Sequence, residues 1–237
     1  MKALILVLFT FISFTIIAQE NEMVLKDNLK RAQLGDFIVT AQNKTYTVLL
    51  VREKTDKELT FEEITVPASR KASGMPWRDW IHQGAAGHTG WIMYQINLET
   101  GQVANTFSFN RNEWVSMPKT QNILSTLLNL RLKLIPTSER KKIGMRPLDG
   151  LPDRRSFWQP RMVVDGQLVQ GVSFDAWRTR WPKDGSELSG KGIEIYVPKE
   201  NELYPAYFPY WLQISGMVGK AQIRIVDSGT MLFTQAH

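Results

Sequence analysis

Apolar residues at every second position recur along most of this chain, and they predict a mainly β protein. Phe37 to Thr40 is the first such run. Thr45 to Lys54 carries apolar residues on both parities, with Tyr46, Val48 and Leu50 on one side and Leu49 and Val51 on the other. That pattern predicts a central strand buried on both faces. Beyond a turn at Thr55-Asp-Lys57, Leu59 and Phe61 share one parity while Ile64 and Val66 share the other. The slip at Glu62-Glu63 predicts a β-bulge and a bent strand. Trp91–Leu98 and Val103–Phe109 read as a hairpin about Glu99-Thr-Gly101. Arg161–Val164, turning at Asp165-Gly166, reads as another. Val172, Phe174 and Ala176 lead into Trp177-Arg-Thr-Arg-Trp181, which alternates aromatic and basic. Ile193–Val197, Trp211–Ile214 and Ala221–Ile225 complete the set as half-buried antiparallel strands.

Helical spacing is scarcer. Glu20 to Ala32 is a short helix or loose lead-in. Ser73 to Gln83 reads as a helix, capped by Ser73 and stopped at Gly84. In Asn122 to Leu130 the residues Ile123, Leu124, Leu127, Leu128 and Leu130 give a buried-helix pattern, with Thr120 as its cap. The expected class is therefore α+β: a curved, mainly antiparallel, half-barrel-like sheet packed on that one central helix, with short extra helices. Residues 19–237 are expected to form one domain. The Pro-, Gly- and charge-rich stretch 144–160 is the place for a subdomain boundary.

The N-terminus changes the cellular picture. Met1-Lys2, an uncharged apolar run from Ala3 to Ala18 and then Gln19-Glu20 have the parts of a secretory signal peptide over residues 1–18. Ile16 stands at the −3 position, so an uncleaved anchor is the alternative. The expected location is the periplasm or cell envelope. With no Cys in the chain, disulfides and a lipid-modified cysteine are excluded, and the core alone must hold an exported fold. The formal charge is +6, unevenly spread: nine Lys/Arg lie between Arg131 and Arg161, against Glu139, Asp149 and Asp153. Arg131, Lys133, Arg140, Lys141 and Lys142 are expected either to meet an anionic membrane surface or to form a solvated face. No nucleic-acid recognition motif is present, and a monomer is expected.

Candidate chemistry is sparse. His82 and His88 lack metal-ligand spacing, and His237 is terminal, so neither a metal nor a cofactor is expected. Gly171-Val-Ser-Phe-Asp175 misses the second glycine of a nucleophile elbow. No catalytic residue is assigned. His88 in its glycine-rich loop, or Glu62 and Glu63 if a bulge lets them cooperate, would serve a rival hydrolase reading. The aromatic residues are more distinctive. Tyr204, Tyr207, Phe208, Tyr210 and Trp211 crowd one segment stiffened by Pro205 and Pro209, and Trp177 and Trp181 flank a basic pair. Such rings offer flat apolar area with polar tips, and they are the expected ligand-binding residues. The alternative is that they fill the core.

The run Tyr204-Pro-Ala-Tyr-Phe-Pro-Tyr-Trp-Leu-Gln-Ile-Ser-Gly216, with Lys220-Ala-Gln-Ile-Arg-Ile-Val-Asp-Ser-Gly229, resembles an uncharacterised family of exported proteins in chlamydia-like bacteria. The order of elements also resembles the periplasmic lipoprotein carriers and acceptors. That second resemblance implies a half-barrel that binds acyl chains. The expected function is thus non-catalytic binding of an apolar or amphipathic ligand in the cell envelope. An exported hydrolase and a structural envelope protein without a small ligand are the alternatives.

Overall fold

The computed structural model describes residues 22–199, 204–216 and 220–232. Residues 1–18, expected to be a signal peptide, and His237 lie outside them. The chain begins with β1 (Glu22–Val24), α1 (Leu25–Leu29), β2 (Asp36–Gln42), β3 (Thr45–Lys54) and β4 (Glu58–Pro67). Next come α2 (Trp77–His82), β5 (Gly90–Asn97), β6 (Val103–Ser108), β7 (Glu113–Val115), α3 (Pro118–Asn129) and β8 (Arg131–Leu134). A 3-10 turn at Thr137–Glu139 precedes β9 (Met162–Val164), β10 (Gln167–Val169) and β11 (Phe174–Arg180). The chain continues with β12 (Gly192–Pro198), β13 (Trp211–Ser215) and β14 (Lys220–Thr230).

Twelve strands form one antiparallel sheet in the order β1-β8-β11-β12-β13-β14-β2-β3-β4-β5-β6-β7; β9 and β10 pair separately. The β9–β10 hairpin turns on Asp165 and Gly166, both at positive φ, as an Asp-Gly type I′ turn requires. The loop between β12 and β13 carries most of the clustered aromatic rings. Three apolar clusters hold the sheet. One joins Phe61, Tyr94 and Ile96 to Ile195, Leu212 and Tyr207, with α1 and Leu128 of α3. A second lies under α2, around Phe37, Val48, Ile64 and Trp80. The third, around Phe174, Tyr196, Tyr210 and Ile225, is covered by the β9 hairpin.

Two expectations are corrected here. The class is mainly antiparallel β, not a sheet built on a central helix. The helices are small, and α3 lies at a margin, packed against α1 and β6. Only Leu128 of its apolar residues is fully buried, and Ile123 is 42% exposed. The sheet needs no central helix because strands such as β3 and β4 bury both faces. The bulge expected at Glu62-Glu63 is also absent: β4 pairs with β5 without interruption from Glu58↔Asn97 to Thr65↔Gly90. Leu59 and Phe61 face one cluster while Ile64 and Val66 face another, so the parity slip marks a change of buried face. The irregularity lies in the neighbouring strand, between Val51 and Glu53.

Smaller differences follow from packing. The lead-in helix shortens to α1 because Glu22–Val24 is drawn into pairing with β8. Helix α2 begins at Trp77 without a side-chain cap, so Ser73 stays outside it. Helix α3 starts at Pro118, which places Thr120 within its first turn. Among the described residues no helix is long and apolar enough to cross a membrane.

Candidate functional site

The seven aromatic site candidates divide between two clusters. Tyr207 and Trp181 are buried in the cluster beneath α3, with Trp177 and Phe208 packed against it. Tyr210 is fully buried in the cluster under the β9 hairpin, where Tyr204 and Trp211 also pack. The loop therefore threads through the sheet's cores instead of standing as one exposed rim. Trp158 meets Tyr196 and Trp211 edge-on, at centroid distances of 5.0 and 4.9 Å. The Tyr210 hydroxyl donates to Ser228 Oγ at 2.9 Å, and Ser228 Oγ donates to the Val163 carbonyl, also at 2.9 Å. Trp181 donates its indole N–H to Asp184. The Tyr207 hydroxyl and the Trp211 indole N–H are buried without a hydrogen-bond partner among the described residues.

Two small cavities flank α3, and Leu124 lines both. The first, about 20 Å³, is enclosed by Leu25, Leu29, Leu127, Leu128, Tyr207, Phe208, Pro209 and Leu212. Its lining is apolar apart from the tyrosine. The second, also about 20 Å³, is lined by Glu63, Ile92, Tyr94, Val103, Thr106 and Met117. Each has room for a water at most. The helix over them is lightly fastened. Its N-cap residue, Met117, makes no side-chain cap bond. Ser125 Oγ accepts the Val103 N–H at 2.9 Å, and Asn129 Nδ2 donates to the Thr100 carbonyl at 2.8 Å.

Glu63 is the site residue that the aromatic pattern does not reveal. Its signal is nonetheless readable: Leu59, Phe61 and Glu63 share a parity, so a carboxyl continues an apolar stripe. The side chain keeps part of its surface open, but burial pushes its carboxyl above the usual range, opposed by a hydrogen bond donated from Tyr94. Burial, with the neighbouring Glu63 charge, raises the Tyr94 phenol well above its ordinary value.

Of the hydrolase candidates, Glu62 and Glu63 diverge across β4, while Glu62 and His88 both contact Trp91. Glu62 points to the opposite face from Glu63, paired to Arg52 at 3.1 Å and accepting the Trp91 indole N–H. His88 Nδ1 lies 3.0 Å from the Ala85 carbonyl, and its ring meets Trp91 edge-on at 5.1 Å. Among the described residues no group of three or more His, Asp or Glu could hold a metal ion.

The basic segment is partly tied down. Arg140 donates to the Phe174 carbonyl, Lys141 pairs with Glu194 at 3.2 Å and Lys142 with Asp153 at 2.8 Å. Arg131 and Lys133 are exposed on β8. Lys133 borders an open depression of about 540 Å³ with Arg178, Arg180 and Glu194.

These features define a mainly β protein with one long antiparallel sheet and an apolar seam under a marginal helix. Residues 47–170, more than half of the chain, match the family model described as CT021 protein, and the chain belongs to that family. The match lies upstream of the 204–229 stretch that carries the resemblance in the sequence. The fold is similar to that of the hypothetical protein CT021 from Chlamydia trachomatis, with a TM-score of 0.64 and 18% identity over 90% of this chain and 96% of that one. At that identity the likeness is one of fold. No curated protein matches the chain.

Proposed function

We propose that this protein binds an apolar or amphipathic ligand, a lipid or acyl chain, without catalysis, in the seam beneath α3. The observation that carries this reading is the pair of cavities meeting at Leu124, one of them bounded by Tyr207 and Phe208 of the aromatic loop. Both are too small for a chain while α3 is seated, so a ligand enters only when the helix lifts and the cavities merge. A helix held by few buried side chains is the element that opens at least cost. The reading matches the acyl-chain binding of the periplasmic lipoprotein carriers. It places the protein in the cell envelope, with residues 1–18 as the export signal. Arg131, Lys133 and Arg180 supply a basic face for an anionic membrane surface where ligand would be exchanged.

The chain has no cysteine, so a paired substitution gives a clean test. Val103→Cys with Ser125→Cys bridges the backbone of β6 to the middle of α3. The reduced double variant should retain an uncharged fluorescent acyl-chain probe, a labelled long-chain alcohol, as the unmodified protein does. The oxidised form should not take it up. Equal uptake in both forms would overturn the lifting helix, and no uptake by the unmodified protein would overturn the binding function.

A further inference from the structure

We infer that the ligand has an amine head, and that Glu63, with Tyr94 beside it, is the group that receives it. This rests on the proposed binding seam and names the ligand class for it.

The argument is one of unmet charge. The other carboxyls sunk into this fold are supplied with charged or backbone donors. Glu62 has the Arg52 guanidinium and the Trp91 N–H. Asp227 accepts the backbone N–H groups of Gly166 and Ser228. Asp36 accepts the Gln33 N–H and the Thr230 hydroxyl. Glu63 shares its cavity with Ile92, Tyr94, Val103, Thr106, Met117 and Leu124, and among the described residues no Lys, Arg or His lines it. The Tyr94 phenol lines the same cavity and offers the carboxyl a polar neighbour without a charge. A buried carboxylate gains most from a partner that brings the opposite charge together with hydrogen-bond donors. An alkylammonium does both, and its chain matches what lies beyond. Past Leu124 the lining turns to Leu25, Leu29, Leu127 and Phe208, with no charged residue among the described residues. The seam therefore has one acidic end and one apolar end, the polarity of a long-chain amine. A fatty acid placed the same way would set two carboxyls against each other in an apolar cavity and is the disfavoured amphiphile.

The test compares three ligands of one chain length, decylamine, decanol and decanoate, titrated into the unmodified protein by calorimetry below their micelle concentrations. Decylamine should bind most tightly and decanoate least. Glu63→Gln keeps the shape of the side chain, and its melting temperature at neutral pH should not fall. In that variant decylamine should lose about thirtyfold or more in affinity, the loss expected when one member of a buried hydrogen-bonded charge pair is removed. Decanol should change little. Decanoate binding as well as decylamine, or decylamine unaffected by Glu63→Gln, would overturn the amine assignment while leaving the seam intact. Failure of all three ligands to bind would overturn the seam itself.

Discussion

Glu62 and Glu63 are neighbours in sequence, yet they meet opposite surroundings because adjacent strand residues point to opposite faces. Glu62 lies with Ile64 and Trp91 and is matched by Arg52. Glu63 lies with Phe61 and Tyr94 under α3, where burial holds its proton on to a higher pH than usual. A carboxyl raised in the folded state lowers stability as pH climbs: the unfolded chain ionises first, and the folded chain must then bear a desolvated charge. Below the ordinary carboxyl range both states are protonated and the effect vanishes. Glu63→Gln should therefore melt like the unmodified protein near pH 4 and above it near pH 7, a difference that melting curves at the two pH values would show or deny. The Tyr210–Ser228–Val163 chain makes a separate residue-scale prediction. Ser228 is fully buried, and Ser228→Ala leaves the Tyr210 hydroxyl and the Val163 carbonyl without this partner. The loss should be about 1–3 kcal/mol by urea unfolding. The polar bond can be separated from packing with Tyr210→Phe, which removes only one end of the chain and should cost less.

At the scale of elements, legibility followed how locally each element is specified. Strand β3 was readable from its two apolar parities, and the β9–β10 hairpin from Asp165-Gly166, because both signals lie within the element itself. Strand β1 exists through its pairing with β8, more than a hundred residues away, so Glu22–Val24 carries no pattern of its own. Strand β7 is three residues long, too short for a period to show. Helix α3 was visible as a helix, but its position was not: an apolar stripe says that a face is covered, not where in the fold. The aromatic loop is ambiguous in the same way, since rings that suit a ligand site also suit a core. Single substitutions along α3 test its marginal placement. Leu128→Ala should cost about 2–5 kcal/mol, as a buried leucine does. Ile123→Ala, at a 42% exposed position, should stay within about 0.5 kcal/mol. Large losses at both positions would restore a helix buried on all sides.

At the scale of the whole molecule, the sheet depends on a join between distant parts of the chain. β2 to β7 occupy one side of the strand order, and β1, β8 and β11 to β14 the other; they meet where β14 pairs with β2. Residues 224–230 thereby lie against residues 36–41. The join is reinforced at its end, where the Met231 N–H donates to the Gly35 carbonyl at 2.8 Å and Thr230 Oγ1 donates to Asp36 at 2.8 Å. Gly35 has a φ of +87°, and a Cβ there would fall 2.1 Å from the Met231 carbonyl oxygen. Gly35→Ala thus combines a left-handed backbone with a clash against main chain, and should cost more than the roughly 1–3 kcal/mol of the backbone strain alone. How that loss appears in calorimetry depends on whether the sheet unfolds as one unit. Two core clusters draw residues from both sides of the join: the one beneath α3 unites Phe61 with Ile195, and the one under the β9 hairpin unites Ile38 with Phe174. Neither side can separate without opening both. The unmodified protein should therefore show a single transition with equal calorimetric and van't Hoff enthalpies. Gly35→Ala should move that transition down whole. Two transitions, with only one displaced by Gly35→Ala, would instead divide the molecule into separately folding units, with the loop at 144–160 as the place to look for their boundary.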